Sequence, residues 1–279
     1  MPTITIIAQG EMGAGLARRL AENGVNALTS LEGRSEKSRA RAQAAGMCAV
    51  SWEEIGDADL FLSVVPPGSA LDLAREAAAK WKDATRRPLY VDCNAVSPQT
   101  VEEIAGVLAA AGVSFVDAGI IGGPPRPGDK GPRIYACGPH AHIFAKLTAF
   151  GLDIEDLCAP IGAASALKMS YGGITKGMTA IGAIMMLGAM RASAGDALKR
   201  ELALSQPERL AWLSRQIHGM FPKAYRWVAE MEEIAAFQRD DPAGTEIFEA
   251  IARFYARLAE DEASEAGEIA ALRGFLGIS

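Results

Sequence analysis

One lysine stands out because of its surroundings in the chain. Residues 161–173 read IGAASALKMSYGG, and Lys168 is the only charged residue in that stretch. Burying a lone ammonium among small and apolar side chains is costly unless it has a partner or a chemical task. Loss of hydration lowers a lysine pKa and lets the amine exchange protons near neutral pH. Lys168 is therefore a candidate general acid or base; the alternative is a lysine that reaches solvent from a helix end.

The N-terminal residues indicate a nucleotide site. The β-branched run 3–8 leads into AQGEMGAG at 8–15 and then into a helical pattern, which is the context that a dinucleotide fingerprint requires. Gly10 would let the backbone approach a pyrophosphate, and Gly13 would let the helix pack on the strand. The first fingerprint glycine is replaced by Ala8. The predicted cofactor-binding residues of this turn are Gln9, Gly10, Glu11, Met12 and Gly13.

The end of the second predicted strand, 25–31, bears on the choice of nucleotide. Glu32 lies where an acid would bind the ribose hydroxyls of NAD, but Gly33, Arg34 and Ser35 follow it. A guanidinium and a hydroxyl fit a 2′-phosphate, although Ser35 could instead cap the next helix. Because Arg34, Lys37 and Arg39 outnumber the single acid here, we favour NADP over NAD, which stays possible.

Strands and helices continue to alternate. The pattern predicts strands at 60–65, 89–92, 113–117, 134–137 and 151–157, with helices at 70–81, 99–111 and 140–148. Ligands lie off the carboxyl ends of strands in such sheets, which adds Val65, Pro66 and Asn94 to the predicted cofactor-binding residues. Helices are predicted at 163–193, 207–218, 223–237 and 245–272. The predicted fold is an α/β Rossmann-type N-terminal domain, 1–160, followed by an all-α domain, 161–279.

Three landmarks occur in the order that they have in a known superfamily. The turn at 8–13 is similar to G-x-G-x-M-G, the Gly/Pro-rich segment 117–123 to D-A-P-V-S-G-G, and 162–171 to G-x-G-x-x-x-K-x-x-N. These motifs belong to the β-hydroxyacid dehydrogenases, a group that includes 6-phosphogluconate and 3-hydroxyisobutyrate dehydrogenases. The segments 30–35 and 226–234 resemble a less-studied branch of this superfamily, whose members have a phosphogluconate-dehydrogenase-like C-terminal domain of unknown function.

The chain departs from the family pattern where substrate would be recognised. The substrate-loop serine falls on Ile121, and the asparagine after the catalytic lysine falls on Tyr171. Asn94 replaces a serine that helps to hold a substrate carboxylate. The retained Lys168 implies intact carbonyl and alcohol chemistry with altered substrate recognition.

The predicted function is that of an NADP-dependent oxidoreductase. It would move a hydride between nicotinamide and a small β-hydroxy acid or related compound, with Lys168 as general acid and base. The predicted substrate-binding residues are Asn94, Gly122, Gly123, Tyr171 and Arg226. Arg226, Trp227 and Glu230 could equally be a surface Arg–Glu pair beside an aromatic ring. Two other functions stay open: an imine reductase, with Tyr171 as a possible proton donor, and a non-catalytic NADP-binding protein.

Bulk properties limit partners and location. The net charge of −6 argues against nucleic acid or an anionic membrane as the main partner. The four scattered cysteines predict buried free thiols in a reducing compartment, and no metal site is predicted. No secretory signal is apparent, and the apolar segment 181–190 is too short for a membrane span, so we expect a cytoplasmic protein. The family resemblance implies a homodimer through the helical domain, with 234–254 as core or dimer seam.

Overall fold

The computed structural model describes residues 1–261 and 267–277. The chain divides into two compact units, Met1–Met169 and Ser170–Ser279. The sequence predicts a division after residue 160. The observed division is later because the first turns of a long helix, α7 (Ala163–Arg191), are hydrogen-bonded to the first unit.

The first unit contains one eight-stranded sheet. Its order is β3-β2-β1-β4-β5-β6-β7-β8, and every neighbouring pair is parallel except β6 with β7. The strands are β1 (Ile4–Ile7), β2 (Ala27–Thr29), β3 (Cys48–Ala49), β4 (Leu60–Ser63), β5 (Leu89–Asp92), β6 (Phe115–Ile121), β7 (Arg133–Cys137) and β8 (Asp153–Asp156). This mixed sheet with flanking helices confirms the predicted Rossmann-type fold.

Six helices flank the sheet. They are α1 (Glu11–Glu22), α2 (Glu36–Ala44), α3 (Trp52–Gly56), α4 (Ala70–Trp81), α5 (Pro98–Ala110) and α6 (Ala141–Phe144), and a 3₁₀ turn, Ala145–Phe150, follows α6. The prediction for α4 matches the structure residue for residue. The sequence reading missed β3 and α3, and it considered a helix after Ser35, the observed α2, only as an alternative without bounds. Helix α2 buries only Ala42, so it has no apolar periodicity to detect.

Strand β6 is longer than predicted. The sequence reading ends this strand at Asp117 and begins a loop there, whereas β6 continues to Ile121. Its second half pairs with β7, from Asp117 opposite Cys137 to Ile121 opposite Arg133. The partner strand supplies the hydrogen bonds that keep this Gly-containing segment extended, and a non-local partner of this kind leaves no local signal.

Two hydrophobic layers cover the two faces of the sheet. One contains Ile4 and Ile6 of β1, and the other contains Ile7. The second layer includes an aromatic cluster in which the Phe61 ring lies 5.2 Å from Trp81 and 5.0 Å from Tyr90, between ring centroids. Phe61 is fully buried, so it joins β4, β5 and α4 in one packed unit.

The second unit is helical, as predicted. Helix α7 continues into it and is followed by α8 (Gly195–Ser205), α9 (Pro207–Met220), α10 (Ala224–Phe237), α11 (Pro242–Asp261) and α12 (Glu268–Leu276). The sequence reading missed α8 and joined α11 to α12 as one helix. Part of that predicted helix, 262–266, lies outside the described residues.

Glycines let α7 pack closely on its neighbours within this unit. A Cβ on Gly173 would come within 3.0 Å of Phe248, and one on Gly182 within 2.6 Å of Leu213. In the segment predicted to be core or dimer seam, Ile234, Ile251 and Phe254 are buried. These three residues therefore belong to the core of the helical unit, whereas Ile247 of the same segment is exposed.

We expect Phe61→Ala to lower the free energy of unfolding by about 3–5 kcal/mol, because it leaves a cavity among aromatic rings. Urea unfolding followed by near-ultraviolet circular dichroism measures this change. Leu204→Ala on the exposed face of α8 is the control and should stay within about 0.5 kcal/mol of the parent. Equal unfolding midpoints for Phe61→Ala and the parent chain would contradict the assigned core.

Candidate active site

Three strand ends bring the predicted residues together. In the strand register Ile7 lies opposite Ser63, and Ser63 lies opposite Asp92, so β1, β4 and β5 end side by side. The segments that leave these ends carry the fingerprint turn, the Val65-Pro66 pair and Asn94. Residues that are far apart in sequence thus share one edge of the sheet.

The fingerprint turn combines a close backbone contact with open space at the start of α1. A Cβ on Gly13 would lie 2.0 Å from the Ala8 carbonyl oxygen, so only glycine fits there. A Cβ on Gly10 would meet nothing within 4 Å, which leaves open space beside the start of α1. No side chain caps that helix start, so the first N–H groups of α1, from Glu11 onward, are available to an anion.

Gln9 anchors the turn to the end of β2. Its Nε2 donates to Thr29 Oγ1 and to the Ser30 carbonyl oxygen, the latter at 2.8 Å. Its buried Oε1 has no hydrogen-bond partner among the described residues. This oxygen could therefore accept a hydrogen bond from a bound group. From α2, Arg41 donates to the Gln9 carbonyl oxygen at 3.0 Å. The sequence reading missed Arg41, which carries no motif.

The residues predicted to choose between the nucleotides lie in an exposed turn. Gly33 has φ +65°, which favours glycine, and Arg34 is exposed beside it. Ser35 caps α2, since its hydroxyl accepts from Ser38 N at 3.3 Å. The capping alternative is therefore realised for Ser35, while its contact with a 2′-phosphate stays a prediction.

Asn94 is a buried connector. Its Oδ1 accepts from Val65 N at 2.7 Å, and its Nδ2 donates to Ser63 Oγ and Asp92 Oδ2, both at 2.8 Å. The side-chain amide is thus engaged within the protein. Asn94 contacts Lys168 through its backbone carbonyl oxygen and not through its side chain. Binding of substrate or cofactor by its side chain stays a prediction.

Lys168 turns inward from α7. Its Nζ donates to the Asn94 carbonyl oxygen at 3.3 Å. Burial lowers the pKa of Lys168 to about 8, although nearby Cys93, Asp92 and Asp117 act in the opposite direction. The amine can therefore hold or release a proton near neutral pH.

Burial also changes the ionisable groups around this lysine. It raises the pKa of Asp92 to about 7, and Asp117 adds to this rise, while hydrogen bonds from Asn94 oppose it. It likewise raises the pKa of the Cys93 thiol. Cys48 and Cys158 are exposed, so the prediction of buried cysteines is wrong for these two.

A residue that the sequence reading missed holds the segment that follows the predicted substrate loop, 117–123. Arg19 of α1 donates through Nη2 to the carbonyl oxygens of Arg126 and Asp129, at 3.2 and 2.9 Å. Gly122, at φ +127°, and Gly123 are exposed in this loop. That the backbone N–H groups of Gly122 and Gly123 donate to a substrate stays a prediction. An arginine in an otherwise ordinary helix gives no sequence signal for such a role.

The two predicted substrate residues of the helical unit have different surroundings. Tyr171, three residues after Lys168 on α7, exposes 52% of its surface. Arg226 is exposed, and its guanidinium carbon lies 6.0 Å from the centre of the Tyr225 ring. The alternative of a surface Arg226–Glu230 pair is not realised, because Glu230 bonds Lys176 of α7 instead. The roles of Tyr171 and Arg226 stay predictions.

Comparison with known proteins identifies the family. Residues 3–150 match the NAD binding domain of 6-phosphogluconate dehydrogenase, and residues 189–258 match a domain of unknown function, DUF1932. An uncharacterized 28.5 kDa protein of Methanothermus fervidus is 32% identical over 180 residues, covering 64% of this chain and 67% of that protein. A conserved protein of unknown function, MTH1747, whose structure is similar to 3-hydroxyacid dehydrogenases, is 31% identical with a TM-score of 0.71, covering 92% and 97% of the two chains.

More distant structures share the fold. The 3-hydroxyisobutyrate dehydrogenase of Salmonella typhimurium has a TM-score of 0.69 at 17% identity, covering 98% of this chain and 99% of that one. An imine reductase of Myxococcus stipitatus, in complex with NADP⁺, has a TM-score of 0.54 at 16% identity, covering 99% and 100%. The first 150 residues decide the assignment, since their family model covers more than half of the chain. The chain belongs to the NAD(P)-dependent dehydrogenases of the 6-phosphogluconate and β-hydroxyacid dehydrogenase superfamily.

Proposed function

We propose that this protein is an NADP-dependent oxidoreductase that acts on a small β-hydroxy acid or a related hydroxy or oxo compound. The observation that supports it most is the inward position of Lys168, whose ammonium bonds the Asn94 carbonyl oxygen at the end of β5. NADP held at the fingerprint turn would supply or take the hydride. The open space beside Gly10 and the uncapped start of α1 fit its pyrophosphate.

Lys168 moves the proton in this proposal. In the oxidation direction its neutral amine takes the proton of the substrate hydroxyl, and in reduction its ammonium donates a proton to the carbonyl oxygen. The Asn94 carbonyl holds the Nζ in place but cannot accept the proton at neutral pH. The lowered pKa of Lys168 supports this role, because both protonation states are accessible near pH 8.

Imine reduction is the second candidate, because imine reductases share the fold. Lys168 favours oxygen chemistry, since a charged ammonium suits a carbonyl or alkoxide oxygen. Parallel assays of β-hydroxy acids with NADP and of a cyclic imine with NADPH distinguish the two. Tight NADPH binding without turnover in either assay would favour a non-catalytic protein.

We expect Lys168→Ala to lower kcat by about 10²–10⁴-fold while the Kd for NADPH stays within twofold, because a general acid and base is lost but no cofactor contact is. Turnover of the best β-hydroxy acid and fluorescence titration with NADPH measure the two quantities. Wild-type turnover in Lys168→Ala would make Lys168 a structural residue.

The pH dependence provides the control. For oxidation, kcat/KM should rise with pH and level off above about 8, since the neutral amine is the active form. For reduction it should fall above the same pH, because the ammonium is required. Any residual activity of Lys168→Ala should lack this inflection.

The preference for NADP rests on the turn at 33–35. Arg34 is exposed after the end of β2, next to Gly33 in a left-handed conformation. A guanidinium binds a phosphate with two parallel hydrogen bonds, and a ribose 2′-hydroxyl offers no such partner. We propose that Arg34 binds the 2′-phosphate.

We expect Arg34→Ser to raise the Kd for NADPH about 10- to 100-fold, the effect of a lost charge-assisted contact, and to leave the Kd for NADH unchanged. Titration calorimetry with both nucleotides measures the change. Arg75→Ser on α4 also removes an exposed charge and should alter neither Kd. An equal loss for NADH would show that Arg34 does not read the phosphate.

An exposed apolar stripe on α7 supports the proposed homodimer. Five residues of the stripe are spaced alternately three and four positions apart: Tyr171, Ile174, Met178, Ile181 and Met185. Ile184 is the sixth member, and each of the six exposes between 36 and 64% of its surface. With about 200 Å² for each large side chain, the six expose roughly 600 Å², close to the ~800 Å² that each partner contributes to a standard interface. The alternating spacing is that of a helix–helix seam.

The stripe is also self-complementary. It is nearly symmetric about Met178, so an antiparallel copy of α7 would place Ile174 against Ile181 and Tyr171 against Met185. An interface around a two-fold axis requires such symmetry. By length and composition α7 could also cross a membrane, and 39% of its most apolar window is buried. We propose a second copy of the chain as the occupant.

We expect Met178→Glu to convert a dimer into a monomer, because two charges would meet at the axis. Sedimentation velocity measures the mass, and Ile247→Glu, on an exposed isoleucine of α11, is the matched control. In a chain with Cys48 and Cys158 replaced by serine, Met178→Cys should form a disulfide-linked dimer and Leu204→Cys should not. A dimeric Met178→Glu would exclude this seam, and binding of the parent chain to lipid vesicles would indicate a membrane instead.

We also propose that the protein is cytoplasmic. The buried thiols Cys93 and Cys137 suit a reducing compartment. The net charge of −6 supports a small-molecule substrate over nucleic acid as the partner.

A further inference from the structure

One buried carboxylate holds the start of the helix that carries Lys168. Asp117, on β6, is fully buried and accepts from Gly162 N at 3.0 Å and Ser165 N at 3.1 Å through Oδ2. Its Oδ1 accepts from Ser165 Oγ at 2.7 Å. The carboxylate therefore does for α7 what an N-cap side chain does, although it belongs to another element.

A thiol completes the arrangement. Cys137 of β7 lies opposite Asp117 in the strand register and donates its S–H to Asp117 Oδ2 at 3.2 Å. Its sulfur also accepts from Ala164 N at 3.3 Å. Two neighbouring strands thus bind three backbone N–H groups at the start of α7. Lys168 follows one turn after Ser165 on the same helix.

Gly119 sets how closely the helix approaches. It lies two residues after Asp117, so both are on the same face of β6. A Cβ on Gly119 would come within 2.7 Å of the Ala164 carbonyl oxygen and within 3.2 Å of Lys168 Cβ. The substrate loop to which this segment is similar has proline at this position, so α7 lies closer to β6 here than a proline would permit.

Asp117 also contributes charge. Burial lowers the pKa of Lys168. The groups that raise it are Cys93, which directly follows β5, Asp92 at the end of β5, and Asp117 of β6. Asp117 lies opposite Asp92 in the register of β5 and β6. One carboxylate therefore holds the helix start mechanically and favours the protonated form of the amine.

We infer that Asp117 is a positioning residue for Lys168, acting with Gly119 to place the lysine against the Asn94 carbonyl. This inference rests on the proposed role of Lys168 in catalysis. Its test uses a property of Lys168 that is measurable without substrate: its rate of trace acetylation by acetic anhydride as a function of pH, quantified by mass spectrometry after proteolysis.

We expect Asp117→Asn to move the midpoint of Lys168 acetylation about one pH unit lower, because an anion beside the amine is lost. The rate at high pH should rise, because a neutral amide oxygen accepts from Gly162 N and Ser165 N more weakly than a carboxylate does, so the helix start opens to solvent more often. The kcat should fall about 10- to 100-fold while the Kd for NADPH is maintained, as expected for a displaced catalytic group. Asp153→Asn, on exposed β8, is the matched control and should change none of these quantities.

A second variant covers the case in which Asp117→Asn does not fold. Gly119→Ala keeps the carboxylate but forces α7 away from β6, so the high-pH acetylation rate of Lys168 should rise at least about threefold. Gly106→Ala on α5, where a Cβ meets nothing within 4 Å, is its control.

The outcomes separate the two proposals. Unchanged acetylation of Lys168 in Asp117→Asn, or in Gly119→Ala if the first variant is unfolded, overturns the positioning role whatever the activity. Full turnover in Lys168→Ala overturns the proposed function but leaves the acetylation result valid. A shifted acetylation profile with loss of kcat supports both.

Discussion

The structure of the first unit depends on placing one ammonium among buried carboxylates at the end of a parallel sheet. Lys168 donates to the Asn94 carbonyl oxygen, Asp92 holds Asn94, and Asp117 holds the start of α7. Each charge would be expensive to bury alone, and each is hydrogen-bonded to backbone or amide donors or acceptors. Because the lysine is on a helix and the acids are on strands, β5, β6 and the first turns of α7 must fold as one body, which explains why the compact unit extends to Met169.

The same constraint links fold to chemistry. Burial lowers the pKa of the lysine and raises that of Asp92, which brings both groups into the range where protons exchange near neutral pH. The neighbouring fingerprint turn has no side chains at Gly10 and Gly13, so its backbone N–H groups are open to an anion. The Lys168 amine lies at the end of β5 and the fingerprint turn at the end of β1, with β4 between them. This is the arrangement on which the proposed hydride transfer between a nucleotide and an alcohol depends.

The helical unit is held together by packing between its helices. Its core forms where glycines of α7 meet Phe248 and Leu213, and where Trp227 and Tyr255 surround the Lys176–Glu230 pair. These contacts cover one side of α7 and leave an apolar stripe on the other. A cation and an anion are tolerated in this core because they bind each other beneath an aromatic ring. The exposed stripe, in contrast, is left with no charged residue, which is the property that a seam between two copies requires.

Local sequence determined most of the strands and helices and the family, because short motifs and apolar periodicity depend only on neighbouring residues. The strand, turn and helix around Gly10, the helix 70–81 and the strand 89–92 were predictable in this way, and so was Lys168 as the residue of interest. Tertiary structure decided what each polar group does. The Asn94 amide is hydrogen-bonded to Ser63, Val65 and Asp92. Glu230 pairs with Lys176 instead of Arg226. Strand β6 continues past Asp117 because β7 pairs with it. The hydrogen bonds of Asp117, Arg19 and Arg41 could not be predicted, because their partners are dozens of residues away and bonding between distant segments leaves no periodic pattern in the sequence.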